Sequence, residues 1–239
     1  MLRNWLVSRK EKRPVARALI LEGIIGVGKS TVLAEVERRT AQNKGVVCRS
    51  EPTDLFLGVR SMYPEEGCEP RNFIWEMAES GTSESVFGQL AVLTAFKRRE
   101  ERLASVRGVR RAVLERSSLS GTTFVDSASV LSDFDRALLR ESIRHVAAGL
   151  HSDDGPFPVD TVVWLRCCPR VALERIRKRG RECERTLTEE YLQSLHQAHH
   201  QLLLRDGYHP LQPQRVHVLD VDASTPGETA DQILALLLR

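Results

Sequence analysis

The sequence predicts an α/β protein with a five-stranded parallel sheet, helices on both faces and a short lid. Three observations carry this expectation. Short β-branched apolar runs alternate with helix-period patterns from residue 17 onward. A glycine-rich loop joins the first such run to the first helical pattern. No Pro/Gly/Ser-rich linker divides the 239 residues, a length that suits one core. Residues 1–16 read as a basic tail and 17–239 as a single domain.

Each element follows from its residues. Ala18-Leu19-Ile20-Leu21 is an apolar run ending at Glu22-Gly23, the pattern of a buried strand entering a loop. Lys29 to Ala41 sets Val32, Leu33 and Val36 on one helical face. Gly45 to Ser50 reads as a second strand, and Ser85 to Val106 as a long helix with a basic second half. Ala112-Val113-Leu114 forms the core of a third strand. Asp133 to Leu150 is helical, with Leu138, Leu139 and Val146 expected inward. Ser152 to Pro158 is a loop, rich in proline and glycine. Thr161 to Leu165 is a strongly β-branched fourth strand, and Pro169 opens a helix where its missing N–H costs little. Thr186 and Glu189 have capping-box spacing and are expected to start the next helix. Its Tyr191, Leu192, Leu195, Leu202 and Leu203 read as core packing. Val216 to Val221 is a fifth strand and Gly227 to Leu238 a closing helix.

Composition excludes several classes. Lys+Arg 35 against Asp+Glu 32 leaves +3, which does not mark a general nucleic-acid binder. Apolar stretches such as Leu234 to Leu238 fall far short of the ~20 residues of a membrane helix. Neither nucleic acid nor membrane is therefore an expected partner. The cysteines (Cys48, Cys68, Cys167, Cys168, Cys183) are scattered without a CxxC pair, which argues for reduced, buried thiols and a cytoplasmic protein. Arg3, Arg9, Lys10, Lys12, Arg13 and Arg17 are read as part of a solvated tail in preference to a mitochondrial presequence. Lys97-Arg98-Arg99 with Glu100 and Glu101 is read as a solvated helix face. His196, His199 and His200 are read as a helix face of mixed burial, not as metal ligands.

Residues 23–31, Gly23-Ile24-Ile25-Gly26-Val27-Gly28-Lys29-Ser30-Thr31, match GxxxxGK[ST] between a strand and a helix. Gly23, Gly26 and Gly28 let backbone N–H groups converge on phosphate oxygens, and the helix adds its positive end. Lys29 reaches the β- and γ-phosphates, while Ser30 offers a hydroxyl to Mg²⁺. This implies a P-loop fold with a site for a nucleoside triphosphate and Mg²⁺, ATP if the fold is that of a P-loop kinase; the loop alone does not say what receives the phosphate. Three further groups suit phosphoryl transfer. Glu51-Pro52 ends the second strand, where a carboxylate can take a proton from an attacking hydroxyl. Glu115-Arg116-Ser117 ends the third, where Glu115 suits a metal and Arg116 can orient the base or the acceptor. The run Arg175, Arg177, Lys178, Arg179, Arg181 and Arg185, hinged at Gly180, suits a lid over the migrating charge at about residues 177–186.

These motifs resemble the deoxynucleoside kinases, the group of deoxycytidine, deoxyguanosine and mitochondrial-type thymidine kinases. The resemblance runs through Leu21-Glu22-Gly23, Glu51-Pro52 with Phe56, Glu115-Arg116-Ser117, Leu165-Arg166 with Pro169, and Glu174-Arg175-Ile176 to Arg179-Gly180-Arg181. Tyr191-Leu192, Leu195-His196 and His199 continue it. It implies that Glu51 deprotonates the sugar 5′-hydroxyl beside Arg116, and that Glu115 serves the metal. It also implies that Arg175, Arg179 and Arg181 join the P-loop, Thr31 included, around ATP. Glu184 and Trp75 would contact the sugar 3′-hydroxyl, and Phe56, Phe87 and Gln89 would line the base pocket. A helix-packed homodimer is implied as well. The chain departs from the pattern in placing Gly88 between Phe87 and Gln89, and in pairing Cys183 with Glu184. Ala95 and Gly121 stand near positions where the deoxycytidine and purine kinases of the group carry arginine and aspartate, which leans toward thymidine or a broad pyrimidine range. The alternatives are a thymidylate-like monophosphate kinase and a P-loop nucleotide-binding regulator.

Overall fold

The computed structural model describes residues 17–52, 86–152, 155–205 and 215–237. In chain order the elements are β1 (Arg17–Glu22), α1 (Lys29–Thr40), β2 (Val46–Arg49), α2 (Val86–Ala104), β3 (Arg111–Glu115), α3 (Gly121–Ser127) and α4 (Asp133–His151). They continue as β4 (Val159–Arg166), α5 (Pro169–Arg179), α6 (Glu189–His200), β5 (Arg215–Asp220) and α7 (Pro226–Leu237). The five strands form one parallel sheet in the order β2-β3-β1-β4-β5, as the alternating pattern predicts.

Strand alternation divides the core into two layers. Leu19, Leu21, Val113, Val163 and Leu165 pack against apolar residues of α1, α5, α6 and α7. Ala18, Ile20, Ala112, Leu114, Val162 and Trp164 face the opposite way, onto α2, α3 and α4. Both faces are covered, which explains why the strands read as continuous apolar runs. β1 lies between β3 and β4, so the carboxyl ends of β1, β2 and β3 gather on one edge. Ligands of such sheets bind beyond that edge, where the strand order reverses.

Local chemistry sets the helix ends. Ser132 and Asp135 cap α4 reciprocally, Pro169 occupies the first turn of α5, and Gly180 closes α5 at φ +69°. α6 starts later than expected, because the hydroxyl of Thr188, not that of Thr186, accepts from the N–H of Tyr191. Leu138 is also corrected: it is half-exposed, while Leu139, Ile143 and Ala147 carry the buried face of α4 and Val146 packs partly against it. Cys48 and Cys167 are buried free thiols, but Cys168 is exposed. The largest correction concerns the reading of residues 97–101 as a solvated face, since Arg99 and Glu100 are buried. α3 was not anticipated. Among the described residues no helix is long and apolar enough to cross a membrane.

Candidate active site

The P-loop follows β1 directly. Gly28 caps α1 at φ +102°, a conformation that side chains rarely adopt. At Gly26 (φ +82°) an added Cβ would lie 2.6 Å from the Ala172 carbonyl and 2.7 Å from the Ile176 side chain, so the loop rests on α5. The Lys29 amine is buried and donates to the carbonyls of Gly23 (2.9 Å) and Ile24 (3.0 Å). Burial and the nearby Arg116 lower this amine to about 7, while Glu115, Glu51 and Glu22 pull the other way. Ser30 and Thr31 are exposed on the first turn of α1. Beside the loop is a cleft of about 300 Å³ lined by Gly26, Gly28, Thr31, Arg175, Arg179 and Thr229, among others.

The expected metal pair meets: Ser30 Oγ donates to Glu115 Oε1 at 2.9 Å. A hydroxyl and a carboxylate are hard oxygen donors of the kind Mg²⁺ prefers. Among the described residues no group of three or more His, Cys, Asp or Glu could hold a metal alone. These two residues therefore fit an Mg²⁺ ion that takes its other ligands from water and phosphate, its usual habit.

The expected base and its arginine also meet. Arg49 pairs with Leu114 across β2 and β3, which brings residue 51 level with residue 116. Arg116 Nε lies 3.4 Å from Glu51 Oε2, with Arg116 buried and Glu51 half-buried. The Arg116 guanidinium sits over the Phe124 ring at 4.6 Å, and among the described residues its Nε and Nη1 make no hydrogen bond. Its backbone is unusual, since φ is +58°, a left-handed value costing about 1–3 kcal/mol in a non-glycine residue. Such strain persists only where neighbours fix it, and the Arg116 N–H is held by the Leu21 carbonyl at 3.1 Å.

In the lid, Arg179 donates to Glu184 through Nε and Nη2 (2.6–3.1 Å), and Arg181 Nη1 lies 3.6 Å from the same carboxylate. Arg175 departs from the expected lid role. It lines the cleft but donates to the carbonyls of Val27 (3.1 Å), Val221 (2.8 Å) and Asp222 (3.0 Å), bracing the P-loop against the end of β5. Phe87 is 83% exposed at the start of α2, whereas Gln89 is buried. An added Cβ at Gly121 would meet Ile143 of α4 at 3.1 Å, so that position faces the core and the argument for pocket space there rests on Ala95. Phe56 and Trp75 lie outside the described residues.

Sequence reading missed the buried polar residues behind the site. Glu22 accepts from Ser120 Oγ and lies 3.7 Å from His199 Nε2. Burial alone would raise its carboxyl, but His199, Arg116 and Ser120 together hold it below the usual range. Arg99, Glu100 and His151 form a second cluster. Glu22 and His199 lie in segments that carry the family resemblance, which gave them no role, whereas for Arg99 and Glu100 the sequence signal is charge on an otherwise apolar stripe.

With this geometry in view, known proteins supply a comparison. Residues 19–235 match the family model described as deoxynucleoside kinase. Over 214 residues the chain is 25% identical to thymidine kinase 2, mitochondrial, of Homo sapiens, covering 87% of this chain and 72% of that protein. It is 23% identical over 212 residues to the Macaca fascicularis protein of the same name, with 87% and 72% covered. A stretch of 44 residues, 18% of each chain, is 43% identical to deoxyadenosine kinase of Dictyostelium discoideum.

Proposed function

We propose that this chain, which belongs to the deoxynucleoside kinase family, phosphorylates the 5′-hydroxyl of thymidine, or of pyrimidine deoxynucleosides more broadly, with ATP as donor and Mg²⁺ as metal. Kinase action on a deoxynucleoside follows from the family. The finer choices are the proposal. Thymidine is supported by the names of the two long relatives and by the small Ala95 in α2.

The observation that carries the mechanism is the Glu51–Arg116 pair, held beside Lys29 and the Ser30–Glu115 pair on one sheet edge. Glu51 takes the proton of the 5′-hydroxyl, and the freed oxygen forms a bond to the γ-phosphorus. The bond from that phosphorus to the β,γ-bridging oxygen breaks, its electron pair leaves with ADP, and Glu51 keeps the proton until solvent removes it. Arg116 orients the carboxylate, and Lys29 leaves its loop carbonyls for phosphate oxygens. Arg179 and Arg181 place cations over the migrating group once Glu184 turns to the sugar. Ser30 and Glu115 would hold Mg²⁺, which would supply neutralising charge to the triphosphate when bound.

The cytoplasmic placement stays a proposal, supported by free thiols at Cys48, Cys167 and Cys168. A homodimer is likewise proposed, supported by the exposed Phe134 and Leu138 on α4. Substituting Glu51→Gln tests the mechanism. It keeps shape and removes the base, so kcat for thymidine should fall about 10²–10⁴-fold with both KM values nearly constant. A kcat within a few-fold of the parent would remove Glu51 from this role.

A further inference from the structure

We infer that Arg99, anchored by Glu100, Ser118 and His151, is a positioning residue that fixes the two strand ends carrying Glu51, Glu115 and Arg116. The inference rests on the phosphoryl-transfer reading of that site. Arg99 is on α2, and it reaches the site residues through their backbone carbonyls and not through their side chains. Its guanidinium is buried and spreads its donors across both strand ends. Nη1 donates to the Ser50 carbonyl (3.0 Å) and the Glu115 carbonyl (2.8 Å), and Nη2 donates to the Arg116 carbonyl (2.5 Å). One rigid plane thus joins the residue before Glu51 to both residues of the Glu115-Arg116 pair.

The fork itself is held from behind. Arg99 Nη2 also lies 3.3 Å from Glu100 Oε1, and Glu100 is fully buried. Glu100 accepts from the Ser118 N–H (3.1 Å) and the Ser118 hydroxyl (3.2 Å). His151 Nε2 lies 2.9 Å from Glu100 Oε2, and its Nδ1 lies 3.0 Å from the Phe157 carbonyl. A buried charge is costly unless it is paired and hydrogen-bonded. Glu100 meets both conditions, and Arg99 meets them through Nη1 and Nη2, while its Nε has no hydrogen-bond partner among the described residues. Burial pushes the Glu100 carboxyl up, but His151, Arg99 and Ser118 outweigh it and keep it ionised.

Two features make this more than core packing. Arg116 holds a left-handed backbone at φ +58°, and Arg99 bonds the carbonyl of that same residue. The bonds also bridge β2 and β3, so they set the spacing of base and metal carboxylates rather than the stability of either strand. Lysine offers its donors from a single atom and cannot span three carbonyls. Displacing catalytic groups by about 1 Å from a remote position can cost about 10²-fold in rate.

The test is steady-state kinetics of Arg99→Lys in the full chain, with ATP, Mg²⁺ and thymidine. Leu139→Ala, a core cut on the same side of the sheet that leaves both strand ends untouched, is the control. Arg99→Lys should lower kcat by about 10–10²-fold with both KM values within about threefold. Leu139→Ala, even with an equal loss of Tm, should keep kcat within about threefold of the parent. A kcat for Arg99→Lys near the parent's, or no lower than that of the control, would overturn the inference. Should Arg99→Lys not fold, Ser118→Ala deletes only a hydroxyl and should lower kcat several-fold with both KM values held. An unchanged kcat there would overturn it equally. A parent protein without thymidine-dependent turnover would overturn the functional reading beneath it, whereas an active parent with an undiminished Arg99→Lys overturns this inference alone.

Discussion

Lys29 shows how a functional residue opposes stability. Its amine is buried against its own loop and titrates near 7, well below the usual 10.5. The unfolded chain therefore binds this proton more tightly than the folded one. The penalty is complete below about pH 7 and fades as pH rises toward 10.5. Lys29→Met should accordingly abolish turnover yet raise Tm of the unliganded protein at pH 6, with the gap closing near pH 10. Each 1 kcal/mol is worth about 2–4 °C in a chain of this size. Calorimetry at the two pH values decides it, and a lower Tm for Lys29→Met at pH 6 would contradict the account. Lys29 was legible from its motif, because spacing alone fixes its place on the loop. Arg99 and Glu100 were not. With Phe96 and Leu103 they complete an i, i+3, i+4, i+7 stripe, but charge at such positions reads as solvated until a partner is known. Their partners, Ser118 and His151, come from distant parts of the chain.

At the scale of elements, the P-loop depends on what it rests upon. Gly26 fits under α5 because it lacks a Cβ, and Arg175 ties the loop to the end of β5. Gly26→Ala must push α5 away and with it the lid arginine Arg179. The expected result is a KM for ATP raised about tenfold or more, matching roughly 1.4 kcal/mol of lost donor binding, with the KM for thymidine nearly constant. Equal rises in both constants would show that α5 does not transmit the strain to the donor side. Strand and helix identities were legible here, since periodicity and apolar runs survive burial on both faces. Helix starts were less so: Thr186 and Thr188 both offer a hydroxyl three residues before a helical N–H, and only packing chooses between them.

For the whole molecule, strand order does what no single motif can. Placing β3 between β1 and β2 brings residues from positions 29, 51 and 116 to one edge, although the sequence separates them widely. Taken one by one, the residues announced the carboxylates but not their adjacency, which only the family resemblance implied, because pairing in a parallel sheet is set by crossovers that leave no local trace. The central claim is that this edge joins a triphosphate to a sugar hydroxyl. The most direct measurement follows the γ-phosphoryl of labelled ATP with Mg²⁺ in the presence of each of the four deoxynucleosides, with thymidylate as competitor. The account expects label on the 5′-oxygen, transfer that depends on the nucleoside, and a higher kcat/KM for thymidine than for deoxyguanosine. ATP hydrolysis indifferent to nucleoside, or thymidylate accepted in preference to thymidine, would contradict it.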